Sequence, residues 1–204
     1  MQEDFDIVSQ PDLGSPVLVM VRGLPGSGKS YLSYALQRKI GESNVVVLDP
    51  DAIDYEGEEY SKMSKALSVD GVDEKLYPYR FLRSKGYDAI DQGKIVVWNQ
   101  AFTNLYIFNR TIENLQNYAK DRGVNLPCVV VEVTVDIDIA KERVKGREND
   151  GGHGVDDDNF SRFVTDYVTF SDQGHDVVAI NGTNDVEESV QKIIQATNKA
   201  TKDS

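Results

Sequence analysis

Short, unbroken apolar runs alternate along this chain with longer stretches that place apolar residues at helical spacing. The runs at residues 17–21, 45–48, 95–98, 128–135 and 177–180 are rich in valine and isoleucine, and polar residues enter only the fourth, as Glu132 and Thr134. Such runs predict strands buried on both faces, as in a parallel sheet. Between them, Leu32, Ala35, Leu36 and Ile40 predict a helix over 31–40 that stops at Gly41. The charged and aromatic stretch 56–93 predicts two helices, one near 59–67 and a longer one over 73–92 opened by Asp73. Leu105, Phe108, Ile112 and Leu115 form one helical stripe that runs out at Gly123. Further helices are predicted over 137–145, 159–170 and 186–196, with a glycine-rich loop at 146–155.

Strands alternating with helices require crossover connections. The expected fold class is therefore α/β, a three-layer α/β/α sandwich around a five-stranded parallel sheet. One domain is expected over residues 16–197, preceded by an extended arm (1–15) and followed by a polar tail (198–204). No internal repeat or low-complexity tract interrupts it. In such sheets ligands bind beyond the carboxyl ends of the strands. The turns after the first, second and third strands thus converge on one crevice.

Composition narrows the picture. A chain of 204 residues, 40% of them hydrophobic, suits one domain with a sizeable core. No run approaches the roughly 20 apolar residues of a membrane span, and the acidic start Glu3-Asp4 is opposite in charge to a secretory leader, which points to the cytoplasm. A formal charge of −12 argues against long nucleic acids as partners and leaves small phosphorylated molecules open. The single cysteine, Cys128, cannot form an internal disulfide and reads as a packed core thiol.

The chemistry starts at Gly23-Leu24-Pro25-Gly26-Ser27-Gly28-Lys29-Ser30, a G-x-x-x-x-G-K-S motif set between the first strand and the first helix. Glycines let backbone N–H groups turn toward phosphate oxygens, and the new helix points its positive end at the same anion. Lys29 adds a mobile charge, and the Ser30 hydroxyl is placed to ligate Mg²⁺. ATP and Mg²⁺ are the expected cofactors. Asp49 and Asp51 follow the second strand, where a carboxylate can accept a hydroxyl proton or hold magnesium through water; alternatively, one of them caps the turn at Pro50. Arg143 and Arg147, one helical turn apart, are candidates to stabilise a transferred phosphoryl group beneath a lid built on Gly151, Gly152 and Gly154. Arg80, Arg83, Arg110, Asn99 and Gln100 are candidate acceptor contacts. His153 and His175 have no neighbour at metal-ligand spacing and read as exposed loop residues. Asp156-Asp157-Asp158 reads as a helix entry. A GTPase reading fails because Asn198-Lys199-Ala200-Thr201 lacks the aspartate of a guanine-specifying N-K-x-D.

This P-loop, the Asp49-x-Asp51 turn, the Arg143-x-x-x-Arg147 pair and the short helix after the glycine-rich stretch together resemble the P-loop kinases related to zeta toxins and bacteriophage polynucleotide kinase. The resemblance covers about residues 17–195 in order of elements. It implies P-loop kinase topology with a short lid, Asp51 as general base, Arg143 and Arg147 as lid arginines, and Gly182 and Thr183 beside the adenine. It also implies transfer of the γ-phosphate of ATP to a hydroxyl of a small-molecule or nucleotide-like acceptor. Two departures bear on the acceptor: Asp54 stands where an arginine is common, and Trp98-Asn99-Gln100 replaces an aspartate-containing turn. They leave room for a second reading, a nucleotide-binding module that acts by nucleotide-dependent movement or partner binding without transfer.

Overall fold

The computed structural model describes residues 15–149, 155–170 and 177–203. Its five strands are β1 (Leu18–Arg22), β2 (Val45–Leu48), β3 (Ile95–Asn99), β4 (Cys128–Thr134) and β5 (Val178–Asn181). They form one parallel sheet in the order β2-β3-β1-β4-β5, in register at Leu48↔Trp98, Val19↔Val97, Arg22↔Glu132 and Val133↔Ile180. The helices are α1 (Lys29–Ile40), α2 (Glu58–Val69), α3 (Tyr77–Asp91), α4 (Leu105–Lys120), α5 (Ile137–Asn149), α6 (Asp157–Asp166) and α7 (Val186–Lys202). The expected three-layer α/β architecture is the observed one.

Period-two alternation builds the two cores. Val17, Val19 and Val21 point to one face, where Leu32 and Leu36 of α1 and Val190, Ile193 and Ile194 of α7 cover them. Leu18 and Met20 point to the other, with Leu82 and Ile90 of α3 and Phe108 and Leu115 of α4. Ala140, Val144 and Phe160 join α5 to α6 in a smaller cluster. No described helix is long and apolar enough to cross a membrane. Cys128 packs against the second core, and burial pushes its thiol up to about 12, so it is no nucleophile at neutral pH.

Element ends differ from the pattern-based expectation for identifiable reasons. The predicted helix over 73–92 is split: Asp73 caps only the short turn Glu74–Leu76, and α3 starts at Tyr77 with Pro78 in its first turn, where a missing N–H costs nothing. Helix α5 continues through Gly146 to Asn149, and α7 continues to Lys202 through residues whose polarity placed them in the tail. Helix α6 ends at Asp166 rather than 170, because the backbone of the next residues is used elsewhere. The lid glycines 151, 152 and 154, His153, His175 and residues 1–14 of the arm lie outside the described residues.

That other use is a buried ion pair. Arg22 at the end of β1 and its register partner Glu132 within β4 are fully buried, with Arg22 Nη1 2.5 Å from Glu132 Oε1. Glu132 also accepts from the Phe170 N–H at 2.9 Å and the Tyr167 hydroxyl at 3.1 Å. Arg22 Nη2 donates to Val168 O at 2.8 Å and to Phe102 O at 3.4 Å, and its guanidinium stacks over the rings of Phe170 and Tyr167. Phe102 aims that carbonyl from a left-handed conformation, φ 51°, which is uncommon for a residue with a side chain. Glu132→Gln should cost about 3–5 kcal/mol in urea unfolding, because it strands a buried guanidinium. The double change Arg22→Met with Glu132→Leu should recover most of that loss; a double variant as unstable as the single would refute the explanation.

Candidate active site

The carboxyl edge of the sheet opens into a crevice of about 1440 Å³. Single small-ligand sites run to roughly 1,000 Å³, so this one has room for two reactants. Its walls come from the P-loop, the turns after β2, β3 and β5, and the inner faces of α3, α4 and α5. All three turns expected to converge do so, joined by the turn after β5.

The P-loop keeps its shape because neighbouring backbone stands against it. At Gly26, φ is +80° and an added Cβ would lie 2.2 Å from Ala140 O of α5. At Gly182, an added Cβ would lie 1.9 Å from Ser27 O. Gly182 is tied to the sheet in turn, its N–H donating to Thr134 O at 2.7 Å. Helix α1 begins at Lys29 with no side-chain cap, so its first N–H groups face the crevice mouth unsatisfied by protein side chains, as an anion site requires. Lys29 Nζ donates to Leu24 O at 2.9 Å. Burial pushes its ammonium down to about 8; Arg147 adds to the shift, and Asp49 and Asp51 oppose it. Lys29 still carries its charge at neutral pH, and a phosphate arriving there would raise its pKa again.

Beside the P-loop, three polar side chains meet. Ser30 Oγ donates to Asp49 Oδ2 at 3.1 Å, and Asn99 Nδ2 donates to Asp49 Oδ2 at 2.5 Å and to Ser30 Oγ at 2.9 Å. Asp49 and Asn99 are buried, and Asn99 Oδ1 has no partner among the described residues. The Ser30 hydroxyl and the Asp49 carboxylate, both held by the Asn99 amide N–H, are hard-oxygen donors that fit a hydrated Mg²⁺ held mainly by phosphate. Among the described residues there is no His, Cys, Asp and Glu cluster of the kind that cages a metal with protein ligands alone. Asp49 Oδ1 also accepts from the Asp51 N–H at 3.0 Å, so Asp49 both caps the turn Pro50–Ala52 and faces Ser30. Asp51 is exposed on the crevice wall.

The two arginines of α5 do different things. Arg143 bridges two loops, donating from Nη1 to Gly26 O at 3.3 Å and from Nη1 and Nη2 to Gly182 O at 3.2 Å. Arg147 is exposed, and its charge is felt at Lys29. Thr183 lines the crevice with its N–H and hydroxyl both on Asn181 Oδ1. Asn99, grouped by the sequence with possible acceptor contacts, instead holds Asp49. The signal for that role was slight, an amide directly at the end of a buried apolar run. Gly182→Ala should abolish nucleotide binding by calorimetry, since a backbone carbonyl cannot yield 1–2 Å cheaply; near-normal affinity would mean the two loops are not rigidly apposed.

Several solved structures share this fold. A candidate kinase from Chloroflexus aurantiacus is 17% identical, with a TM-score of 0.62 over 89% of this chain and 98% of that one. A gluconokinase from Sinorhizobium meliloti is 15% identical, with a TM-score of 0.53 over 93% and 95%. The APS kinase of Mycobacterium tuberculosis, solved with AMPPNP and APS, is 16% identical, with a TM-score of 0.50 over 89% and 96%. At such identities the likeness establishes the P-loop kinase fold. No curated protein matches the sequence significantly. The signature of the AAA domain family, however, matches residues 18–167, from β1 to just past the end of α6. That span holds the P-loop and most of the crevice and covers more than half of the sequence, and the chain belongs to the AAA domain family.

Proposed function

We propose that this protein is a Mg²⁺-dependent phosphotransferase that moves the γ-phosphoryl group of ATP to a hydroxyl of a small or nucleotide-like acceptor. The observation that carries the reading is the meeting of Ser30, Asp49 and Asn99 beside the P-loop, with Asp51 on the wall of the same two-reactant crevice. Within the P-loop kinases, the Asp49-x-Asp51 turn and the paired arginines of α5 favour the branch related to zeta toxins and polynucleotide kinase.

The N–H groups of the P-loop and of the first turn of α1 bind the ATP phosphates, and Lys29 exchanges Leu24 O for a phosphate oxygen. Ser30 and Asp49, oriented by Asn99, hold magnesium. When bound, the metal supplies Lewis-acid neutralisation of the phosphate oxygens. Asp51 takes the proton of the acceptor hydroxyl as that oxygen bonds to the γ-phosphorus. The bond from phosphorus to the bridging oxygen breaks, and ADP departs with its electron pair. Arg147 faces the charge spread over the moving group, while Arg143 keeps the P-loop and the turn after β5 together around the nucleotide.

Lys29→Ala should abolish ATP binding and transfer alike. Asp51→Asn should lower transfer about 10²–10⁴-fold, the usual contribution of a general base, with ATP affinity unchanged. Transfer is read from γ-labelled ATP against a metabolite library. Undiminished turnover in the Asp51 variant would remove it as the base, whereas tight ATP binding with label in no acceptor would identify a nucleotide-driven binding module instead.

A further inference from the structure

Arg147 lines the crevice and its charge reaches Lys29, yet among the described residues it has no hydrogen bond or ion pair of its own. Where it stands is therefore set by the helix that carries it. One turn earlier, Arg143 is tied to Gly26 O and Gly182 O, and Ala140 abuts Gly26, so the first half of α5 is anchored on the P-loop. Beyond Arg143 that anchorage ends. The helix passes through Gly146, where an added Cβ would meet nothing within 4 Å, and glycine is a weak point in a helix.

What supports the second half of α5 is α6. Ala140 and Val144 are buried with Phe160, and Lys141 and Lys145 pair with Asp157 at 3.2 and 3.7 Å. Exposed ion pairs are worth little, so the apolar contact is the stronger link. Helix α6 is fixed in turn at its exit. The Tyr167 N–H closes the helix on Phe163 O at 3.0 Å, and the residues that follow grip one buried ion pair: the Tyr167 hydroxyl and the Phe170 N–H donate to Glu132, and Arg22 donates to Val168 O. The Arg22 guanidinium carbon stands 3.7 Å from the centre of the Phe170 ring, which packs edge-on against Phe108 of α4. Both attachments of the α5–α6 unit thus refer it to the P-loop: one touches Gly26, and the other is made by the residue before Gly23. A buried ion pair is a poor source of stability, since apolar residues of like volume do as well; what this one adds is a fixed geometry.

We infer that Arg22, Glu132 and Tyr167 are positioning residues for Arg147: they hold the exit of α6, α6 holds the free half of α5, and α5 aims Arg147 at a γ-phosphate on the P-loop. The inference rests on the phosphotransferase reading only for what Arg147 faces. None of the three lines the crevice, so their effect runs through the helices and not through a contact with ligand. ADP, held by the P-loop, is indifferent to them. The γ-phosphate is not, because it lies where Arg147 reaches.

The test measures binding apart from turnover. The full chain is titrated by calorimetry, in Mg²⁺, with ADP and with a non-hydrolysable ATP analogue, and the ratio of the two affinities gives what the γ-phosphate adds. Arg147→Ala should lower that ratio roughly tenfold or more, the scale of a hydrogen bond to a charged group. Tyr167→Phe takes a single hydroxyl from Glu132, and Phe160→Leu loosens α6 on α5; each should lower the ratio about three- to tenfold and leave ADP affinity unchanged. In an Arg147→Ala background neither should lower it further, since changes that act through one group do not add. A purely structural role would weaken ADP and the analogue alike, whatever residue stands at 147. An unchanged ratio in Tyr167→Phe, a loss of the same size with and without Arg147, or an equal fall in ADP affinity would overturn the positioning role. So would equal affinity of the wild-type chain for ADP and the analogue, which leaves Arg147 nothing to contribute. The same variants are assayed for transfer of labelled phosphate. Losses that vanish without Arg147, with label in no acceptor, keep the positioning role and defeat the phosphotransferase reading. Transfer that is indifferent to Arg147→Ala and to Tyr167→Phe keeps that reading and defeats the positioning role.

Discussion

Backbone pressed against backbone sets the geometry on which this molecule depends. The P-loop has no core of its own; it is a few peptide units wedged between the start of α5 and the turn after β5. Where Gly26 meets Ala140 and Gly182 meets Ser27, a single added carbon would overlap a carbonyl oxygen. Such contacts cannot be approximated by a slightly different side chain, because no side chain fits at all. Arg143 then laces the same two loops by their carbonyls. The loop is thereby held in one shape by its neighbours, and a loop fixed in advance binds a ligand at less cost in ordering.

A second constraint acts one residue upstream. Arg22 ends β1, immediately before the P-loop, and burying it with Glu132 would be costly without a full set of partners. The set comes from three places in the chain: β4, the turn after β3 at Phe102, and the segment after α6 at residues 167–170. One guanidinium thus fixes the relation of the central strand, the loop entering α4 and the exit from α6. The short α6, the unusual backbone of Phe102 and the charge buried in the sheet are consequences of the same arrangement.

Charge is distributed against the average. The chain carries a formal charge of −12, yet the lining of its crevice has more arginines than carboxylates, so positive potential is focused there. The sheet splits that crevice into two halves because a parallel sheet puts every strand end on one edge while its central strand carries the P-loop.

How much of this was legible beforehand follows from the range of each interaction. The five strands, the parallel sheet and the phosphate cradle are local matters: apolar runs of strand length, and glycines spaced by the turn they make. The sequence by itself determined the strands and their parallel order of pairing with helices, and it set the glycine-rich turn, with Lys29 and Ser30, between the first strand and the first helix. Helix ends were less legible, since α7 gains its last turns and α6 loses its last from what they pack against. Nothing in the string Val-Arg-Gly marks Arg22 as a buried ion, because its partner stands 110 residues away. Asn99 read as a candidate acceptor contact, and only the pairing of β2 with β3 brings it onto Asp49 and Ser30. Arg80, Arg83 and Arg110 were legible only as candidates, and it is the placing of α3 beside α4 that puts all three on the wall of one crevice. Local chemistry fixed the glycine-rich turn between β1 and α1; the tertiary structure decided what surrounds it, because the residues that do so meet only when distant strands take their places in the sheet.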